Sequence, residues 1–113
     1  MAKVRLIVLN VKDKPGSVAE AIRSLAEAGV NVRTVFGWGP GGVVQLTVDD
    51  MRKATKALRA AGTDFTEAKA EVVELADKPG TLHAYLAKLS KRGVNLRSIS
   101  ASDGKTLVWT SAD

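Results

Sequence analysis

The sequence predicts an α+β fold built twice in tandem, with antiparallel sheets that carry their helices on one face. Three observations lead there. The tetrapeptide Asp13-Lys14-Pro15-Gly16 returns as Asp77-Lys78-Pro79-Gly80, an offset of 64 residues (77 − 13). Each copy follows an apolar run, Ile7-Val8-Leu9-Asn10-Val11 in one case and Val72-Val73-Glu74-Leu75 in the other. Each also precedes a helical pattern that ends in Gly-Val-Asn, at Gly29-Val30-Asn31 and Gly93-Val94-Asn95. A self-similarity at fixed spacing is a statement about architecture and takes precedence over local propensity.

Residues 3–11 place Leu6 and Val8 on one face and Ile7, Leu9 and Val11 on the other, the pattern of a strand covered on both sides. Pro15 fixes φ and offers no donor, and Gly16 permits close backbone approach, so the chain turns there. Ser17 and Glu20 are spaced as a capping box. Val18, Ile22 and Leu25 form an apolar stripe at helical spacing that Gly29 ends. Residues 30–36 alternate, with Val30, Val32, Thr34 and Phe36 on one face, as a strand does. Gly37 to Gly42 reads as a hairpin tip, with Val43–Val48 as the return strand. Asp49 or Asp50 caps a second helix whose buried stripe is Met51, Ala54 or Thr55, Leu58 and Ala61. Gly62 stops that helix, and a shorter strand around Phe65–Lys69 closes the unit and runs, without any breaker, into the strand at Glu71–Leu75.

This order is βαββαβ, the ferredoxin-like split βαβ arrangement. From residue 71 the pattern restarts as strand (71–76), helix (81–92), strand (94–101) and strand (105–111), then stops. Domains are therefore expected at 1–70 and 71–113, the second a βαββ unit lacking its closing helix and strand. An absent helix bares ~400 Å² of apolar sheet, worth ~10 kcal/mol at about 25 cal/mol per Å². That rivals the whole net stability of a domain, ~5–15 kcal/mol. Another surface is expected to cover the sheet, with Leu107 and Trp109 as contact residues of a homodimer or higher homo-oligomer. The alternative is that Trp109 fills the chain's own core.

Composition narrows the function classes. Of 113 residues, 45% are hydrophobic and 26% charged, the balance of a globular protein rather than a disordered one. No apolar run reaches the ~18–20 residues of a membrane span. The N-terminus opens on the strand pattern without signal-peptide anatomy, so a cytoplasmic protein is expected. Cysteine is absent, and the one histidine, His83, lies off the apolar stripe of its helix. Without a nucleophile–base pair or converging carboxylates, neither catalysis, a metal site nor a cofactor is implied. The Gly37–Gly42 cluster lacks the Lys-Ser/Thr of a phosphate loop. Trp38 within it is a ligand lid, an interface anchor or an aromatic folded over the hairpin. Arg52, Lys53, Lys56 and Arg59 read as the solvated side of the second helix.

A net charge of +5 and a pI near 9.8 raise the question of an acidic partner. An RNA-recognition domain of the same element order stacks bases on aromatics in its first and third strands. Here those strands, Val4–Val11 and Val43–Val48, contain no aromatic, so nucleic acid is not expected.

The doubled Asp-x-Pro-Gly after an apolar strand, each with Gly-Val-Asn downstream, resembles the ACT domain, a small regulatory fold that binds amino acids. The resemblance covers one complete copy and one truncated copy. It implies a ligand held between paired domains, against the first strand–helix turn and the start of the neighbour's second strand. On this chain those positions are Pro15, Gly16, Ser17 and Val18 with Val30, Asn31 and Val32. The second copy offers Gly80, Thr81, Leu82, Val94, Asn95 and Leu96. A helix N-terminus carries unpaired N–H groups suited to a carboxylate, and an asparagine amide both donates and accepts. The expectation is an amino-acid sensor that acts on an enzyme or a transcription factor. The alternatives are a scaffold subunit that binds no ligand and an RNA-binding domain.

Overall fold

The computed structural model describes residues 2–39, 41–101, 103 and 105–111. Among them, six strands and three helices follow in chain order. They are β1 (Ala2–Asn10), α1 (Ser17–Glu27), β2 (Val32–Trp38), β3 (Val43–Val48), α2 (Met51–Ala60), β4 (Phe65–Glu74), α3 (Thr81–Lys91), β5 (Leu96–Ala101) and β6 (Thr106–Ser111). The chain divides into two compact units, Arg5–Ala68 and Lys69–Asp113 with Met1–Val4. Each unit has α+β architecture.

In the first unit the strand order is β2-β3-β1-β4. Antiparallel register sets Ile7 opposite Leu46 and Leu9 opposite Val44, which fixes these four on one face. Ala21 and Leu25 of α1, Ala54 and Leu58 of α2, and Val30 complete the core over them. The helix ends follow from sequence. Val30 N–H reaches the Leu25 carbonyl at 2.9 Å and Gly29 N–H the Ala26 carbonyl at 3.0 Å, a Schellman closure that also packs Val30 onto Leu25. The same bond pair closes α2 (Thr63 to Leu58, Gly62 to Arg59) and α3 (Val94 to Leu89, Gly93 to Ser90). Asp50 caps α2 by accepting the Lys53 N–H at 3.0 Å.

Two local expectations change. The capping box at Ser17 does not form, because Gly16, at φ 86°, takes the N-cap and no side chain caps α1. Ser17 is already helical, and Glu20 pairs with Arg23 instead. The second strand starts at Val32, two residues late, since Val30 is committed to the helix closure. It also runs on to Trp38, with Gly37 and Trp38 paired to Val44 and Val43 rather than forming the hairpin tip. β4 is one uninterrupted strand from Phe65 to Glu74, in keeping with the lack of any breaker along that stretch.

In the second unit the order is β1-β4-β6-β5, with residues 2–4 of β1 in the outer place. The closing strand missing from the repeat is supplied by the chain's own first residues. The core is Val73, Leu89, Leu107 and Trp109, with Tyr85, Leu86, Val94 and Leu96 packed against it. Leu107 and Trp109 are 2% and 6% exposed, so they serve this core and are not free to bind a second chain. Register explains how. Trp109 lies opposite Glu71 as Leu46 lies opposite Ile7, and Tyr85 stands one repeat on from Ala21 (21 + 64). Where the first unit has an alanine and a leucine under α2, the second has two aromatics joined by a Trp109 Nε1–H···Oη Tyr85 bond of 2.8 Å. Trp109 is part of the second core and Tyr85 packs against it. Among the described residues no helix is long and apolar enough to cross a membrane.

Candidate functional site

The β1–α1 turn runs from Val11 to Gly16 and borders a cavity on each side. One, of about 570 Å³, is lined by Lys12, Lys14, Pro15, Gly16 and Ser17, by the α1 residues Arg23 and Glu27, and by the loop from Ala61 to Asp64. The other, of about 240 Å³, lies between the turn and the β2–β3 hairpin. Lys12, Asp13, Lys14, Val18, Gly37, Trp38 and Val44 line it. The hairpin is held against the end of β1 by the Val11 N–H, which donates to the Gly42 carbonyl at 2.8 Å. A side chain at Gly42 would put its Cβ 2.0 Å from the Val11 carbonyl oxygen, so only glycine allows this approach.

The second unit repeats the smaller cavity. Leu75 N–H donates to the Lys105 carbonyl at 2.6 Å, the counterpart of the Val11–Gly42 bond. Beside it a cavity of about 200 Å³ is lined by Asp77, Lys78, Leu82, Ala101, Lys105 and Leu107. Val18 and Leu82, equivalent across the repeat, are 43% and 47% exposed on the first turns of α1 and α3. The duplicated feature is thus an Asp-Lys turn, an exposed apolar side chain and a hairpin wall.

The expected site residues separate into two groups in each unit. Pro15, Gly16 and Ser17 border the larger cavity and Val18 the smaller. Val30, Asn31 and Val32 follow the far end of α1, whose 11 residues span ~16 Å at 1.5 Å each. Val30 is buried in the core. Asn31 is exposed, and its backbone is pinned to Asp49: its N–H donates to Asp49 Oδ1 at 3.0 Å and its carbonyl accepts the Asp49 N–H at 3.0 Å. In the second unit Leu82 borders the cavity and Gly80, at φ 89°, caps α3 ahead of Thr81. Val94, Asn95 and Leu96 again lie past the helix's other end. A single copy does not bring the two groups together.

Three features escaped the sequence reading. Asp49 fixes the start of β2 as well as standing next to the α2 cap. The hairpin residues Gly37 and Gly42 wall a cavity rather than forming a bare turn. Lys12 and Lys14 put two cations beside it; only the second of these has a counterpart, Lys78, at the same offset.

No protein-family model and no curated protein sequence matches the chain. Solved structures do. A protein of Bacteroides thetaiotaomicron superposes with a TM-score of 0.83 at 21% identity, covering 96% of this chain and 78% of that one. The regulatory subunit of aspartate kinase from Thermus flavus gives 0.73 at 19% identity, covering 96% and 82%. That from Thermus thermophilus, in a ligand-free form, gives 0.68 at 22% identity, covering 97% and 83%. The fold is ACT-like. At these identities the likeness is one of backbone architecture, and it spans nearly the whole chain.

Proposed function

We propose that this chain is a regulatory module that senses a free amino acid, or a zwitterion of similar size, and passes its occupancy to an enzyme or transcription factor. The supporting observation is the duplicated cavity at the Asp-Lys-Pro-Gly turn, with Val18 and Leu82 left apolar and exposed at its mouth in both copies. Cavities of about 240 and 200 Å³ are smaller than the 300–1,000 Å³ of drug-sized sites and match a small metabolite. The uncapped α1 N-terminus with Lys12 and Lys14 suits a carboxylate, Asp13 an ammonium, and Val18 an aliphatic group. Structures of aspartate kinase regulatory subunits share the fold, which agrees with a regulatory role. Because Asn31 stands ~16 Å from the turn along α1, a homodimer is part of the reading: a neighbour supplies the second half of the site.

A thermal-shift screen against the common amino acids tests this. One or a few should raise the melting temperature at millimolar concentration, and Val18→Glu, at an exposed position, should abolish the shift without unfolding the chain. A flat response to every amino acid removes the sensing role. It would leave the second reading, a scaffold subunit that keeps the fold and binds no ligand.

A further inference from the structure

The two sides of α2 differ in charge. Ala54, Thr55 and Leu58 are buried against the first core, whereas Arg52, Lys53, Lys56 and Arg59 are exposed. At about 100° per residue the four bases fall within roughly 120° of arc, opposite the buried stripe, and along about 10 Å of the helix axis. The helix itself contains no acid. The ion pairs among the described residues are Arg5–Glu67 and Arg23–Glu20, so no carboxylate is paired with any of the four. Asp49 and Asp50 precede the helix, but their Oδ1 atoms are committed to the backbone N–H groups of Asn31 and Lys53.

This arrangement works against the helix. A helix N-terminus carries partial positive charge and favours acids, yet Arg52 and Lys53 stand in a first turn that has none. Arg52 and Lys56 are like charges at i,i+4 spacing, and Lys56 repeats the conflict with Lys53 and Arg59 at i,i+3. Only Arg59 has a local role. It lies in the last turn, where a cation suits the dipole, with its guanidinium 5.6 Å from the centre of the Phe65 ring. α1 shows the ordinary solution, with Glu20 in its first turn paired to Arg23. α2 also has no counterpart in the second unit, so this face occurs once per chain. Local rules broken without local compensation point outward, to a partner that brings the missing charge.

We propose that the exposed face of α2 docks an acidic helix of a partner protein, whose carboxylates are spaced by four and three residues to meet Arg52, Lys56 and Arg59. An acidic stripe on a second helix repeats at the same pitch of about 5.4 Å, and the α2 N-terminus attracts it as well. Ala60, exposed one turn on from Lys56, leaves room for a close approach. Nucleic acid fits this face less well. Four bases fall short of the ~6–10 phosphate contacts that give a duplex-binding protein its affinity. Nor does α2 hold an asparagine, glutamine or aromatic residue to read or stack a base. A membrane surface would need large apolar side chains beside the bases, and none is exposed there. No α2 residue lines the cavity that Val18 borders, so the docking face goes beyond the sensing role and stands without it.

Fluorescence anisotropy with a labelled Ala-Glu helical peptide, its glutamates spaced by three and four residues, tests this. The wild type should bind the peptide, and more weakly as salt is raised. Arg52→Glu combined with Lys53→Glu should weaken binding by about 10-fold or more. Lys88→Glu combined with Lys91→Glu, at exposed bases of α3, changes the net charge equally and should leave the affinity within about twofold. Circular dichroism melts confirm that both variants fold. The α2 variant should melt above the wild type, because it places acids in the first turn and sets both within reach of Lys56. A wild type indifferent to the peptide, equal loss in both variants, or an α2 variant that melts below the wild type overturns the proposal. So does a labelled DNA duplex that binds more tightly than the peptide and is released by the α2 variant, which would make nucleic acid the occupant.

Discussion

In the turn between β5 and β6, the Asp103 carboxylate accepts the N–H of Thr106 at 2.7 Å, the N–H of Lys105 at 2.9 Å and the Thr106 hydroxyl at 3.2 Å. The Thr106 N–H first, and then that of Lys105, hold this carboxyl below its ordinary value of 3.8, because they stabilise the charged form. The sign of the pH effect follows. A depressed folded value means the hairpin's stabilisation is complete above the ordinary carboxylate range and is lost as pH falls through it toward the folded value. Asp103→Asn removes the titration. It should be less stable than wild type at neutral pH, and the difference should shrink below about pH 4. Urea melts of both proteins at neutral and acid pH measure this; parallel acid slopes would place the pH sensitivity at other carboxylates.

At the scale of elements, the signals that were legible are those a few residues can enforce alone. Gly29, Gly62 and Gly93 each end a helix, and Asp50 starts one, because these motifs close their own backbone bonds locally. Ser17 and Glu20 had the spacing of a cap but lost the position to Gly16, whose left-handed backbone turns the chain one residue earlier. The Asp-Lys-Pro-Gly segment was legible as a turn, whereas the hairpin wall opposite it was not, since that wall exists only once the β2–β3 hairpin folds back onto Val11. Hidden for the same reason was the cover over β6. No local pattern says that Tyr85 and Trp109 will meet and bond across the second core. Glu71 is where the second unit departs from the first at the price of a buried polar group. It occupies the place of the fully buried Ile7, and its Oε2 is shut off from solvent without a hydrogen-bond partner. Glu71→Ile should therefore stabilise the chain by ~1–2 kcal/mol, the scale of one unsatisfied buried polar group. A urea midpoint that stays put or falls would mean that the carboxylate is held by an interaction worth more than core packing.

At the scale of the whole molecule the repeat made the architecture legible, but the chain uses its strands more economically than two copies in series would. β1 gives Leu9 to the first core and residues 2–4 to the second unit, and β4 packs Phe65 against one core and buries Val73 in the other. Independent melting would require β4 to break near Ala68–Lys69, where no glycine or proline offers a weak point. One cooperative transition is therefore expected, with calorimetric and van't Hoff enthalpies equal. Leu25→Ala in the first core and Leu107→Ala in the second each open a cavity under a nearly solvent-free side chain, at a cost of ~2–5 kcal/mol. Both should lower that same transition. Scanning calorimetry of the two variants distinguishes the cases. If Leu107→Ala moves only part of the heat absorption while Leu25→Ala moves the rest, the shared strands fail to couple the cores, and each copy folds on its own account.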